Sequence, residues 1–325
     1  MKIKLIRFII PTFLLVFGLY TLVPARALAY DITSLSVEDR SDFVLEPGKS
    51  EIFLNPGESV TKYIYVTNRI KGATKFKVEV EDFVGSRNPN QTVVLLGNGK
   101  ALNSSIDYIQ PDTKEFTLNF GQKIAIPVKV SLPNNVAPGG YYGSVLISNE
   151  PEVISGVQKD TTQNFTRVIS RLGTLFFIRA KGAAKESGNL EDFRIAGEKQ
   201  AFYEKGPLSF EILFNNDGNV HLVPYGNISV TNIFGHSIAE LPVDAYFALP
   251  NSLRFRNVLL PNEFLIGRYT AKIHLNRGYK NLLDEKTITF WVLPWKLVLG
   301  IVFGVLIVIT VSIFIFKNFE LKKKQ

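Results

Sequence analysis

Lys75-Phe76-Lys77-Val78-Glu79-Val80-Glu81 switches between charged and apolar at every step. In an extended chain successive side chains point to opposite faces. The run therefore sets Phe76, Val78 and Val80 on one face and the charges on the other. This is the pattern of a strand with one face in a core and the other in water. The same alternation recurs. Ile124, Ile126, Val128 and Val130 alternate with Lys123, Ala125 and Lys129. Phe210, Ile212 and Phe214 alternate with Ser209 and Glu211. Tyr269, Ala271, Ile273 and Leu275 alternate with Thr270, Lys272, His274 and Asn276. No segment between 30 and 294 sustains apolar residues at helical spacing. Pro47-Gly48, Pro56-Gly57, Gly97-Asn98-Gly99, Pro138-Gly139-Gly140 and Asp217-Gly218 punctuate the runs as turns. Short strands at this spacing predict an all-β fold of immunoglobulin-like β-sandwiches.

A weak internal repeat predicts two sandwiches in tandem. Asn55-Pro56-Gly57-Glu58 leads into a strand ending at Thr67-Asn68, and Glu204-Lys205-Gly206-Pro207 leads into one ending at Asn215-Asn216. Later, Gly140-Tyr141 and Gly267-Arg268-Tyr269 each open a strand, as a tyrosine corner would. The expected organisation is a first domain over 30–182, a small and charged linker over 183–189, and a second domain over 190–294.

The ends of the chain carry address signals. Residues 1–29 read as a signal peptide: Lys2, Lys4 and Arg7 precede a largely apolar stretch, and Ala27-Leu28-Ala29 offers a cleavage site before Tyr30. The alternative is an uncleaved amino-terminal anchor. Residues 295–316 read as a transmembrane helix. Leu297 to Phe316 is 20 residues without a charge, about 30 Å at helical rise and so about one hydrocarbon thickness. Trp295 falls where an interfacial aromatic belongs. The basic tail 317–325, with Lys317, Lys322, Lys323 and Lys324, is placed in the cytoplasm by the positive-inside rule. The expectation is a single-pass type I protein of the cell membrane with 30–294 at the cell surface. Gly300 and Gly304 form one GxxxG, which admits a weak homodimer through the span.

Composition narrows the chemistry. The 325-residue chain has a formal net charge of +8, but the excess lies at its two ends. Residues 30–295 carry basic and acidic groups in equal number, so no basic stripe points to a nucleic-acid partner. Cysteine is absent, which excludes disulfides, thiolate metal sites and cysteine nucleophiles. No G-x-S-x-G, S-x-x-K or H-E-x-x-H occurs. His221, His236 and His274 read as surface or rim histidines. The neighbours Glu81/Asp82, Glu191/Asp192 and Asp284/Glu285 read as solvated charge, because adjacent strand residues point apart. Asn215-Asn216-Asp217-Gly218-Asn219 reads as a hairpin, the alternative being a calcium loop. No catalytic, cofactor-binding or metal-binding residues are assigned, and no cofactor is expected. The polar stretch 149–165 is long for a hairpin loop, and reads either as a plain mobile loop or as a contact surface at one tip of the first domain, near the turn 69–74.

Leu54-Asn55-Pro56-Gly57-Glu58-Ser59 with its following strand to Asn68, and the strand pair at 123–132 and 141–148, resemble the WxL-interacting protein family of Gram-positive surfaces. So does the order of the segments. The resemblance implies a first domain that binds peptidoglycan and a second that contacts partner proteins, with no binding residues assigned. The expected function is a non-enzymatic, membrane-anchored surface protein binding cell-wall polymer or secreted surface proteins. The alternatives are an accessory subunit of an envelope complex or a chaperone-like assembly factor. Strand edges would serve either, because an edge can pair with a partner's strand.

Overall fold

An extended backbone satisfies its N–H and C=O groups only by pairing, and the apolar half of each alternating run then gathers on one side of the resulting sheet. The computed structural model describes residues 30–88, 91–150, 169–198, 200 and 202–318. The expected signal peptide, most of the basic tail and most of the loop 149–165 lie outside the described residues.

The chain up to Ala180 forms β1 (Ile32–Ser34), β2 (Phe43–Glu46), β3 (Lys49–Leu54), β4 (Ser59–Asn68), β5 (Thr74–Gly85), β6 (Val93–Leu95), β7 (Ile109–Pro111), β8 (Glu115–Leu118), β9 (Gln122–Ser131), β10 (Gly139–Glu150) and β11 (Arg171–Ala180). One sheet has the order β1-β9-β4-β2, with β7 also on β9. The facing sheet has the order β3-β11-β10-β5-β6, with β8 also on β5. Ile64, Val66, Ile126 and Val128 from one sheet meet Phe76, Val145, Ile147 and Phe176 from the other in one buried core. Pro47-Gly48 is where the chain changes sheets: β2 pairs antiparallel with β4, and β3 runs parallel to β11.

The remaining strands are β12 (Gly188–Ile195), β13 (Leu208–Asn216), β14 (Tyr225–Asn232), β15 (Ser237–Val243), β16 (Ser252–Leu260), β17 (Gly267–Asn276) and β18 (Leu283–Val292). They form a second sheet pair, β12-β13-β16 facing β15-β14-β17-β18. Phe210, Ile212, Phe214, Ile228, Val230 and Ile273 lie in its core. Helix α1 (Trp295–Asn318) follows β18 after Leu293 and Pro294. It is long and apolar enough to cross a membrane, and none of its apolar window is buried against the rest of the chain.

The repeated motifs fall on matching strands. Asn68 ends β4 and Asn216 ends β13, and both are fully buried. Asn68 donates to Leu118 O at 3.0 Å and accepts from Ile70 N at 2.9 Å. Asn216 donates to Val220 O and Ala248 O at 2.9 and 2.8 Å and accepts from Gly218 N at 2.9 Å. Each amide closes the turn after its strand and ties a second loop to it. The tyrosines match too. Tyr141 donates to Ala137 O at 2.9 Å, and Tyr269 donates to Ile266 O at 3.0 Å.

One expectation is corrected here. The segment 215–219 is not a hairpin, because β13 and β14 lie in different sheets. It is the start of a crossing loop. Gly218 does not adopt a positive φ. It is small because a Cβ there would lie 2.5 Å from Lys185 O.

Candidate functional site

The most elaborate side-chain arrangement lies where the two sheet pairs meet. It starts from breaks in the alternation. Tyr141-Tyr142, Phe176-Phe177 and Asp82-Phe83 put bulk on both faces of their strands. Tyr141 and Phe176 fill the first core. Phe83, Tyr142 and Phe177 emerge on the outer face of the same sheet and meet Leu249, with Phe247 and Val93 at the margin. The rings pack edge to face, Phe177 to Phe247 and to His221 both at 5.0 Å. Burying aromatic rings in this way accounts for most of the cohesion of such a contact.

Polar bonds fix its geometry. His221 N donates to the Tyr142 hydroxyl at 2.6 Å. Gly140 N donates to Asn219 O at 2.8 Å, Asn219 donates to Pro138 O at 3.2 Å, and Leu253 N donates to Ser86 O at 3.1 Å. The segment 181–187 is tied down as well: Lys185 N reaches the Asn219 side chain at 2.8 Å, and Arg179 pairs with Glu186 at 2.7 Å. Gly85 leaves room for the loop of the second sheet pair, since a Cβ there would lie 2.5 Å from Ser252 Cβ and 2.8 Å from Leu249 Cβ. Two charged side chains cap the rings. Lys49 Nζ stands 5.5 Å from the Phe177 ring and 5.6 Å from Phe247, and the Arg254 guanidinium stands 5.7 Å from Phe247.

His221 thus corrects the surface reading. It is buried between Tyr142 and Phe177, and burial lowers its pKa to about 4. Tyr142 is buried with it, and burial raises its phenol pKa. Asp82 is a second correction. It is fully buried and accepts from Ala101 N, Ser105 N and Ser105 Oγ, so it holds the loop after β6 rather than meeting solvent. Its neighbour Glu81 points the other way and pairs with Arg171. Asp284 caps Arg277 at 2.6 Å and accepts from Leu190 N at 2.7 Å. His274 pairs with Glu285 at 2.8 Å on an outer face, where alternation places it.

Two surfaces of the first sheet pair leave aromatic side chains exposed. Strand β3 ends its sheet, pairing only with β11 among the described residues. Among the described residues no strand pairs with its outer edge, Ile52 and Leu54 are buried, and Phe53 is 54% exposed. On the outer face of β4, Tyr63 and Tyr65 stand two residues apart, opposite Pro127 and Ala125 of β9. Lys123 Nζ covers the Tyr65 ring at 4.9 Å. A third feature is a cavity of about 600 Å³ between β12 and β18, lined by Phe193, Ile195, Tyr203, Phe290 and Trp291 among others. None of these gathers an acid, a base and a nucleophile around one point. No group of three or more His, Asp or Glu among the described residues is placed to hold a metal ion.

No protein-family model matches the chain, and no curated protein does. Among solved structures it is similar to the class 5 fimbriae chaperone CfaA, at 12% identity and a TM-score of 0.34, over 78% of this chain and 100% of that one. It is similar to the CsuC-CsuE chaperone–tip subunit pre-assembly complex from Csu pili of Acinetobacter baumannii, at 10% identity and a TM-score of 0.36, over 77% and 98%. The PapD-like domain 7 of human CEP192 matches at 10% identity and a TM-score of 0.29, over 49% and 99%.

Proposed function

We propose that this chain is a non-enzymatic protein, held in the cell membrane by α1 with its sandwiches outside, that receives an extended segment of a partner protein as an assembly factor does. The free edge of β3 carries this reading. An edge strand offers unpaired backbone groups, and a partner strand laid on it gains main-chain hydrogen bonds while its alternate side chains select the fit. The junction keeps that edge in a fixed setting, because Lys49 at the start of β3 reaches Phe247 of the second sheet pair. Exposed Phe53 supplies an apolar contact on the same strand.

A photoreactive benzoylphenylalanine in place of Phe53, in the full chain in native membranes, tests the reading. The expected result is a discrete protein adduct that the same probe placed on the opposite sheet does not give. Absence of any protein adduct at position 53 overturns it.

A second reading rests on Tyr63 and Tyr65. Two half-exposed tyrosines in line with Pro127 make a flat strip on which sugar rings of a cell-wall polymer could stack. Peptidoglycan pelleting that falls at least tenfold in a Tyr63→Ala/Tyr65→Ala variant, with cross-linking at position 53 unaffected, would favour the polymer.

A further inference from the structure

One end of the second sheet pair is apolar where turns are ordinarily polar. The register of β14, β17 and β18 brings Asn232, Tyr269 and Phe290 into one row, so the turn after β14, the loop before β17 and the end of β18 lie at the same end of the sheet. Three local devices present apolar side chains there. In the turn, Asn232 accepts from Phe234 N and His236 N, both at 3.0 Å, and Gly235 takes the positive φ. The turn's geometry is satisfied without Ile233 and Phe234, yet they stand 62% and 81% exposed. In the loop, Tyr269 holds Ile266 N and O. That turns Leu265 inward and leaves Phe264 73% exposed, with Ile266 also out. On β18, alternation buries Phe290 and Val292 and turns Trp291 outward.

We infer that this end of the second sheet pair rests in the interfacial layer of the lipid bilayer. The inference rests on the reading of α1 as a membrane span. Its occupant is named by the chain itself, since only Leu293 and Pro294 separate β18 from α1. Four peptide steps from Trp291 to Trp295 span at most about 14 Å, so Trp291 cannot be far from the headgroups where α1 begins. The tie between Lys296 and Glu204 at 2.9 Å holds the helix start against this same end. Strands β14, β17 and β18 stand about 5 Å apart, so Phe264 and Phe234 lie about 5–10 Å sideways, at the same level. Tryptophan, phenylalanine and aliphatic tips are the side chains that partition into the interface. Charges at this end are of both signs, with Lys205, Arg268 and Lys296 against Glu198, Glu204 and Glu263, so the attraction is apolar.

The chain has two tryptophans and no cysteine, which makes the test direct. The full chain is reconstituted in phosphatidylcholine vesicles with and without nitroxide-headgroup lipid. Trp291→Phe leaves Trp295 as the reporter of the span. Phe234→Cys, carrying a polarity-sensitive dye, reports the far side of the apolar end. The expected result is quenching of both reporters by the labelled lipid, unchanged at high salt, with the dye protected from aqueous iodide at least threefold. A quenched Trp295 with a dye at 234 that iodide reaches freely overturns the docking and leaves the span standing. An unquenched Trp295 overturns the span and the docking with it. A dye at Leu282, at the opposite end of the sheets, should stay in water, and its quenching by lipid would overturn the orientation.

Discussion

His221 is a neutral imidazole inside an aromatic junction, and its burial has a pH signature. An unfolded histidine binds a proton below its ordinary 6.5, while folded His221 does so only at about 4. The unfolded state therefore takes up more protons in that window. The stability linked to this group is complete above about 6.5 and is lost as pH falls towards 4, by about 3 kcal/mol in all. Lys49 and Arg179 oppose the imidazolium, and Glu51 favours it less than burial opposes it. Urea titrations of the detergent-solubilised chain at pH 7.5, 5.5 and 4.5 should show this loss in the native chain and not in His221→Gln. Parallel pH dependence in the two proteins would sink the assignment.

At the level of elements, β4 and β13 are two copies of one device. Each is an alternating strand ended by a buried asparagine whose amide closes the next turn. Replacing Asn68 or Asn216 with Ala removes the side-chain partner of largely buried backbone groups, at about 1–3 kcal/mol per group left unsatisfied. Both substitutions should lower the midpoint of chemical unfolding by similar amounts, since each removes two backbone partners or more from a buried amide. A neutral outcome at either position would mean that the amide is not what closes the turn. The two asparagines were legible as the ends of repeated strands. Their burial was not, because a polar residue at a strand end ordinarily meets solvent.

At the scale of the whole molecule, the two sheet pairs share a small core at their junction. The second sheet pair seats its upper loops on the outer face of the first, and its opposite end carries α1. Gly85→Val places atoms where Leu249 and Ser252 already stand, and should open the junction while leaving both cores intact. Scanning calorimetry is expected to show one transition for the native chain and two for the variant. A single unshifted transition in Gly85→Val would mean that the contact does not couple the two halves.

The sequence by itself determined the strand character of the chain, which face of most strands is buried, and the apolar helix that closes it. These follow from periods of two residues and from one uncharged run, which are local properties. The chain's own order also placed the two Asn-ended strands. Only the tertiary structure decided that Tyr142 and Phe177, with His221 against them, belong to a third, smaller core at the junction, and that Asp82 is buried. Alternation reports one apolar face per strand; it cannot say which remaining face another part of the chain will cover. The signal was present where it failed, since every residue from Gly139 to Ser148 in β10 is buried. Consecutive aromatics such as Tyr141-Tyr142 are what a strand covered on both faces requires. The hairpin reading of 215–219 failed for the same physical reason: Asp-Gly prescribes a change of direction, and whether the chain returns to its own sheet or crosses to the facing one is settled by packing.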